Sequence, residues 1–196
     1  MSARQDILDA IRARRRGELR RPQTYRPPSP ASDPLSLFVD KARAADTEVR
    51  ILESEKDIPA AVAELLRARN QAARVHLPPL SDLRAVDWRL EVEAAPPGPD
   101  DAAVTRAPLA IAETGTLVQP SGDASPASWH FRPGLEIAIL HARDIVAHLE
   151  DALARLGRLP GTVNLITGPS RTGDIEQTLE LGAHGPKALA VIVVRD

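Results

Sequence analysis

The sequence contains no cysteine, and aromatic residues make up only 3% of its 196 positions. The lack of cysteine excludes disulfides, a thiol nucleophile, thiolate zinc sites and cysteine-ligated iron–sulfur clusters. Any cluster needed for a redox reaction would therefore have to lie on a partner protein. The rest of the composition, with 43% hydrophobic and 27% charged residues, is that of a globular protein whose core is mainly aliphatic.

Long apolar runs and a large net charge are missing as well. No apolar run reaches the roughly 18 residues that a membrane span requires, and the charged N-terminus lacks the apolar segment of a signal peptide. These absences predict a cytoplasmic protein. The formal net charge of -2 argues against nucleic-acid binding by bulk charge. No paired-histidine motif or acidic cluster indicates a metal site, because no metal-ligand spacing occurs among His76, His130, His141 and His148.

Residues 1–34 are predicted to form a helix followed by an arm rich in proline and arginine. A capping-box pattern at Ser2 and Gln5 predicts an amphipathic helix over about residues 3–15, with an apolar face of Ile7, Leu8 and Ile11. The arginines and prolines that follow are typical of an extended linker, because proline fixes φ and few apolar residues are present. Residues 35–196 are expected to form one domain.

Apolar stretches with strand-like and helix-like spacing alternate along this domain. The strands are expected at Val49–Leu52, Ala73–Leu77, Arg89–Ala94, Leu135–Leu140, Val163–Thr167 and Ala188–Val194. Two further apolar segments, Leu109–Ala112 and Thr116–Val118, lie on either side of a turn. The helices are expected to bury Leu35, Phe38, Val39 and Ala42, then Ile58, Val62, Leu65 and Leu66 behind a cap at Asp57, then Ile145, Val146, Leu149, Ala152 and Leu153 from a start at Asp144. A short last helix is expected over Asp174–Leu181. This alternation predicts an α/β fold, with a mainly parallel sheet and helices on both faces.

A first candidate site is the stretch 166–176, in which an apolar strand runs into a glycine-bounded loop and then a helix start. Loops at the carboxyl ends of parallel strands line ligand crevices, and a helix N-terminus attracts anions. Arg171 is suited to bind a carboxylate or phosphate, with Ser170 and Thr172 as hydroxyl donors. The glycine spacing fits neither a P-loop nor a dinucleotide fingerprint. The alternative is a turn capped by Thr172 or Asp174, with Arg171 in a surface ion pair.

A second candidate site is the stretch 110–118, where a carboxylate and two hydroxyls lie at a tight turn between apolar segments. Glu113 is a candidate general base, nucleophile or anchor for a ligand hydroxyl. The alternative is a hairpin turn with Gly115 at positive φ and Glu113 in solvent. His184, in a glycine-flanked loop, is a candidate proton carrier, and its alternative role is that of a hydrogen-bonded loop residue.

These stretches are similar to the signature blocks of the LutC/YkgG family, the LUD-domain proteins of lactate utilisation. The similarity is closest in Thr-Gly-Pro-Ser-Arg-Thr-Gly-Asp-Ile-Glu and Leu-Gly-Ala-His-Gly-Pro, both within Thr167–Pro186. It extends through residues 110–118 and, more loosely, through 135–153. Gly173 stands where the family usually has alanine, and Ala183 where many members have valine. The change at Gly173 loosens the helix start.

The resemblance implies a fold like that of sugar-phosphate isomerases, CoA-transferases and 5-formyltetrahydrofolate cyclo-ligase. It also implies a place in a three-component system that oxidises lactate to pyruvate, in which other subunits carry the iron–sulfur clusters. This chain is then expected to hold no cofactor or metal and to bind a small carboxylate or phosphate, and the family implies no catalytic residues for it. The residues expected around its crevice are Glu113, Thr114, Gly115, Gly168, Ser170, Arg171, Thr172, Asp174, Glu176 and His184.

Two other hypotheses stay open on the sequence. One is a stand-alone enzyme that acts on small acids, CoA esters or sugar phosphates, with Glu113 as its reactive carboxylate. The other is a protein-docking or nucleic-acid-docking module that uses the basic arm. Under the first hypothesis the purified chain turns over substrate without a partner. In each case we expect the two candidate stretches to lie close together, because a parallel sheet gathers such loops on one edge.

Overall fold

The computed structural model describes residues 3–14, 25, 27–28, 33–157, 160–172, 180–181 and 185–195. Its helices are α1 (Ala3–Ala13), α2 (Pro34–Ala44), α3 (Ile58–Ala68), α4 (Ser81–Arg84), α5 (Ser128–Phe131) and α6 (Leu149–Leu156). Its strands are β1 (Glu48–Leu52), β2 (Arg74–His76), β3 (Glu91–Glu93), β4 (Ala102–Arg106), β5 (Leu109–Ile111), β6 (Thr116–Pro120), β7 (Leu135–His141), β8 (Ile145–Val146), β9 (Val163–Ile166), β10 (Arg171–Thr172), β11 (Glu180–Leu181) and β12 (Ala188–Val194). None of the helices in these ranges has the length and apolar character needed to cross a membrane.

A six-stranded sheet forms the centre of the fold, with the strand order β1–β12–β7–β4–β2–β3. All of its neighbouring strands are parallel. The strands β7 and β12 pair along seven residues each and are almost entirely buried. Strands covered on both faces appear in a sequence as continuous apolar runs, and these two were predicted on that basis. The structure confirms the α/β class with a mainly parallel sheet.

Helices cover both faces of this sheet. On one face, α3 buries Ile58, Val62, Leu65 and Leu66 against β7 and β12. On the other face, α2 buries Phe38, Val39 and Ala42 in a cluster with Ala138 and Val191. The apolar spacing predicted both of these helix faces correctly. Capping was less predictable, because the Asp57 side chain makes no cap bond, whereas Asp33 accepts from Ser36 N at 3.1 Å at the start of α2.

A second, smaller sheet shares the α2 face, with the strand order β8–β5–β6–β9. The pairs β5–β6 and β6–β9 are antiparallel, and β5–β8 is parallel. Its inward side chains, including Ala110, Leu117 and Ile166, join the same apolar cluster as α2. The strands β10 and β11 form a separate antiparallel pair. The chain therefore places the predicted hairpin stretch and the predicted strand at 163–167 side by side in one sheet.

The structure differs from the sequence-based predictions at three elements. The strand β4 was not predicted, although its first four residues are buried, because Thr105 and Arg106 interrupt the apolar run. Ile145 and Val146 were expected in a helix but form β8, since the backbone pairs with β5. The helix starts at Leu149 instead. Leu153, which was expected to face the core, is 43% exposed. The last expected helix begins outside the described residues, and its end at Glu180–Leu181 is a strand.

The first helix lies where it was predicted and ends at Ala13. It buries none of its residues, and Ile7 and Ile11 are 61% and 62% exposed. Its apolar face is therefore uncovered in the isolated chain. The division into an arm of residues 1–34 and a domain of residues 35–196 stays a prediction.

Candidate functional site

The turn between β5 and β6 carries Glu113, Thr114 and Gly115. Gly115 has a φ of 66°, as the hairpin alternative requires. A Cβ atom at this position would lie 2.3 Å from Ala42 N, so α2 passes too close for any side chain. The glycine is therefore explained by packing against α2. That explanation does not need a ligand.

A chain of hydroxyl groups joins the two candidate stretches. Thr116 and Thr167 lie opposite each other beside the β6–β9 pairing, and their Oγ1 atoms are 2.6 Å apart. Thr114 Oγ1 lies 2.6 Å from Thr116 Oγ1 on the other side. The expectation that the two stretches meet is thus confirmed. The reason differs from the one predicted, because antiparallel pairing in the second sheet brings them together.

The loop after β9 packs on the end of α2. Gly168 has a φ of 73°, and a Cβ atom there would lie 2.2 Å from Ala45 O. Ser170 N donates to Pro186 O at 2.9 Å. The Arg171 guanidinium forms an ion pair with the carboxylate of Asp46, and both side chains are about half exposed. The alternative of a surface ion pair for Arg171 is therefore correct for the isolated chain.

The candidate site lies at the amino edge of the central sheet, not at its carboxyl edge. Ala45 and Asp46 lie within three residues of the start of β1, and Pro186 lies two residues before the start of β12. Because these two strands are parallel, their starts mark one edge of the sheet. The carboxyl-edge crevice expected for the stretch 166–176 is therefore wrong. The strand β9 belongs to the second sheet. The carboxyl end of β9 therefore need not lie at the carboxyl edge of the central sheet.

A histidine that the sequence did not single out completes the site. Glu113 Oε2 lies 2.8 Å from His148 Nδ1, and Glu113 Oε1 accepts from Leu149 N at 2.9 Å. His148 Nε2 lies 2.9 Å from Pro28 O, in the arm. Glu113 is 37% exposed, so it is not the freely solvated side chain of the hairpin alternative. Only the position of His148 directly before a helix start could have indicated it, since the two residues are 35 positions apart.

The electrostatics of this pair favour an imidazolium next to a carboxylate. The hydrogen bond from His148, together with the Leu149 N–H, lowers the pKa of Glu113. The same hydrogen bond to Glu113, with a second to the Pro28 carbonyl, raises the pKa of His148. His148 is therefore a cationic donor over a wider pH range than an ordinary histidine. Glu113 is a weak base, because both of its oxygens already accept hydrogen bonds.

We expect this pair to stabilise the fold most between about pH 4.5 and 6.5, the ordinary pKa values of the two groups. The contribution of His148 is lost as the pH rises through its raised pKa. The contribution of Glu113 is lost as the pH falls through its lowered pKa. The measurement is the difference in thermal midpoint between the wild type and His148→Gln from pH 4 to pH 9, and we expect this difference to shrink at the high end of that range. A difference that stays constant from pH 4 to pH 9 would contradict the ion pair.

Several of the predicted site residues cannot be placed. Asp174, Glu176 and His184 lie outside the described residues, and Thr172 is described only as part of the β10 backbone. Their roles stay predictions. Within the described ranges, no group of three or more histidine, aspartate and glutamate side chains is arranged to hold a metal ion. The expectation that the chain binds no metal or cofactor also stays a prediction.

A different polar cluster lies at the carboxyl edge of the central sheet. Arg106, the last residue of β4, donates to His141 Nε2 at 2.7 Å and pairs with Glu55 at 3.2 Å. Its Nε atom lies 2.7 Å from Asp82 Oδ2. The charges of this cluster largely cancel, so it offers little attraction to an anion. We interpret it as an ion cluster that ties the ends of the strands to the loops beside them.

Comparisons with known proteins agree with this architecture. Residues 100–194 match the LUD domain family. Lactate utilization protein C of Geobacillus kaustophilus is 38% identical over 95 residues, which are 45% of this chain and 40% of that protein. Lactate utilization protein C of Shouchella clausii is 35% identical over 102 residues, which are 49% and 44% of the two chains. The matched segment thus spans less than half the length of these relatives.

The fold is also that of a solved structure. The crystal structure of a DUF162 family protein from Deinococcus radiodurans superposes with a TM-score of 0.60 and 23% sequence identity. The match covers 84% of this chain and 99% of that chain. At this identity the likeness concerns the fold alone. It extends beyond the segment that matches the relatives in sequence.

Proposed function

We propose that this chain, whose residues 100–194 match the LUD domain family, is a component of a lactate-utilisation system. Its curated relatives carry the name lactate utilization protein C, which supports this role. The chain has no cysteine, so it is the cluster-free component, and iron–sulfur subunits are its proposed partners. Its own task in the system is to bind a small carboxylate such as lactate or pyruvate.

The observation that carries the ligand proposal is the junction of the two candidate stretches at Thr116 and Thr167. This junction places a hydroxyl chain in the same sheet as the Glu113–His148 pair. The following loop carries Arg171. A guanidinium suits a carboxylate, and threonine hydroxyls suit the oxygen at the second carbon of a hydroxy or oxo acid. The side chains of this junction therefore match both polar groups of lactate.

The protonation states at the junction favour binding over catalysis. Removal of a proton from a hydroxy acid needs a free base, whereas the raised pKa of His148 leaves its ring unprotonated over a narrower pH range than an ordinary histidine, and both ring nitrogens already have hydrogen-bond partners. Glu113 has a lowered pKa and accepts from His148 and from Leu149 N. Both shifts thus make it harder for either group to act as a free base than for an ordinary histidine or glutamate. This supports an accessory, ligand-binding subunit over a stand-alone enzyme with Glu113 as its reactive carboxylate.

Recovery of the tagged full-length chain from the cells that make it tests the proposed partners. We expect an iron–sulfur protein to be recovered with it, with iron in the recovered complex and none in the chain purified alone. Mass spectrometry and elemental analysis give both results. The double variant Ile7→Ser and Ile11→Ser serves as a probe of the exposed face of α1. Reduced recovery with this variant would place the docking surface on the arm, whereas recovery of the wild-type chain without any iron protein would contradict the proposal.

A further inference from the structure

A buried serine–histidine–glutamate relay lies outside the site described above. His130 Nδ1 is 2.7 Å from Glu136 Oε1, and His130 Nε2 is 3.2 Å from Ser125 Oγ. Thr105 Oγ1 donates to the same Glu136 oxygen at 2.8 Å. His130 is 1% exposed and Glu136 is fully buried. The order of atoms, from hydroxyl to Nε2 and from Nδ1 to carboxylate, is that of a nucleophile, a base and its orienting acid.

Glu136 determines which ring nitrogen of His130 carries the proton. An ionised carboxylate only accepts hydrogen bonds, so Nδ1 carries the proton that is shared with Oε1. The neutral ring then has Nε2 free to accept the proton of Ser125. The second carboxylate oxygen, Oε2, is buried and has no hydrogen-bond partner among the described side chains and backbone. The hydrogen bonds to Glu136 therefore come from His130 and Thr105, and a carboxylate at this position stabilises the imidazolium that forms when Ser125 loses its proton.

The relay connects the protein interior to its surface. Glu136 belongs to β7 and Thr105 to β4, so the acid end is held by the central sheet. Ser125 lies in a turn closed by hydrogen bonds in both directions with Gly122, and the residues between them are exposed. Ser125 itself is only partly buried. Ser125 therefore lies at the surface end of the relay, while its base and acid are buried.

We propose that Ser125 is an activated nucleophile toward esters or thioesters of small carboxylic acids, with His130 as its base and Glu136 as a positioning residue. Ser125 Oγ attacks the carbonyl carbon, and its proton passes to His130 Nε2. The bond to the alcohol or thiol breaks, and that group leaves with the proton from Nε2. Water then attacks the acyl-serine with help from the same nitrogen, which releases the acid and restores the serine.

The residue after Ser125 limits how fast this reaction can be. Pro126 has no N–H, so it cannot donate to the oxyanion as the residue after the nucleophile does in many hydrolases. We therefore expect acylation by activated esters and slow release of the acid. This expectation sets the choice of probe, because a reagent that traps the serine covalently does not depend on turnover.

The experiment treats the full chain with a fluorophosphonate probe and measures the adduct by intact-mass spectrometry and peptide mapping. We expect one adduct per chain, on Ser125. Ser125→Ala should reduce labelling at least tenfold. Ser128→Ala, a partly buried serine in the adjacent helix α5, should label like the wild type.

Two results would overturn the proposal. One is the absence of any adduct on the wild-type chain under conditions that label a known serine hydrolase. The other is an adduct that maps to a residue other than Ser125. In both cases the relay would serve only to hold the turn on the sheet. Peptide mapping of the wild-type chain decides this even where a variant does not fold, and neither result depends on the lactate proposal.

Discussion

Replacement of Gly168 by alanine is expected to lower the free energy of unfolding by about 2–5 kcal/mol. A left-handed conformation costs a residue with a side chain about 1–2 kcal/mol, and overpacking adds about 1–3 kcal/mol. Both penalties apply here, because Gly168 has a φ of 73° and its new Cβ atom would lie 2.2 Å from Ala45 O. The neighbour is backbone at the end of α2, so it cannot move aside as a flexible side chain would. Urea unfolding of the variant gives the change in free energy.

Two other glycines separate the two penalties. Gly157 also has a positive φ, of 63°, but no atom lies within 4 Å of the position its Cβ would take. Its ψ of -102° lies outside the left-handed helical region, so Gly157→Ala should show the backbone cost of a positive φ, about 1–3 kcal/mol, without any close contact. Gly161 has neither a positive φ nor a neighbour, so Gly161→Ala should be neutral or slightly stabilising. A loss at Gly168 of no more than about 2 kcal/mol, the backbone cost alone, would show that α2 does not press on the loop.

Replacement of Arg171 by alanine is expected to weaken lactate or pyruvate binding by roughly tenfold to a hundredfold. A charge-assisted hydrogen bond contributes about 1.5–3 kcal/mol, and each 1.4 kcal/mol corresponds to about tenfold in affinity. The fold should be unaffected, because the ion pair with Asp46 is half exposed and such pairs contribute little to stability. Calorimetry of ligand binding and thermal unfolding give the two results. Unchanged affinity in the variant would remove Arg171 from the site.

Asp46, the ion-pair partner of Arg171, provides a control variant with the opposite expected effect on ligand affinity. Asp46 has a φ of 58°, a conformation that asparagine also tolerates, so Asp46→Asn should fold normally. The variant removes the carboxylate that competes with a ligand for the guanidinium. We therefore expect tighter binding of the same anions in Asp46→Asn. Weaker binding in both variants would indicate that the Arg171–Asp46 pair shapes the loop and does not contact the ligand.

The sequence was most informative where burial alone determines structure. The apolar runs of β7 and β12 and the apolar spacing of α2 and α3 predicted these elements, because burial on two faces or on one stripe requires that pattern. The strand β4 escaped prediction, since Thr105 carries a hydroxyl into the core. That hydroxyl is satisfied by Glu136, which lies 31 residues away. A polar residue whose partner is distant in sequence has no local signal.

In the candidate site, too, features within one segment were predicted, whereas contacts between distant segments were not. The turn at Gly115 and the loop after β9 were identified from their residues, as was Arg171. Their meeting was expected for the wrong reason, because the pairing of β6 with β9 depends on contacts between segments about 50 positions apart. His148 was passed over because nothing near it in the sequence indicates that Glu113 lies 2.8 Å away. The relay of Ser125, His130 and Glu136 was missed because no residue pattern marked it.

The sequence by itself thus determined the α/β class, the helix faces, the lack of thiol chemistry and the two stretches that carry the family resemblance. These depend on composition and on periodicity within a single element, which a chain displays before it folds. The tertiary structure alone decided which edge of the sheet holds the site, which histidine pairs with Glu113 and why Gly115 and Gly168 admit no side chain. Each of these depends on the approach of segments that are far apart in the chain. Hydrogen bonds and close packing hold such segments together only when the whole core is assembled.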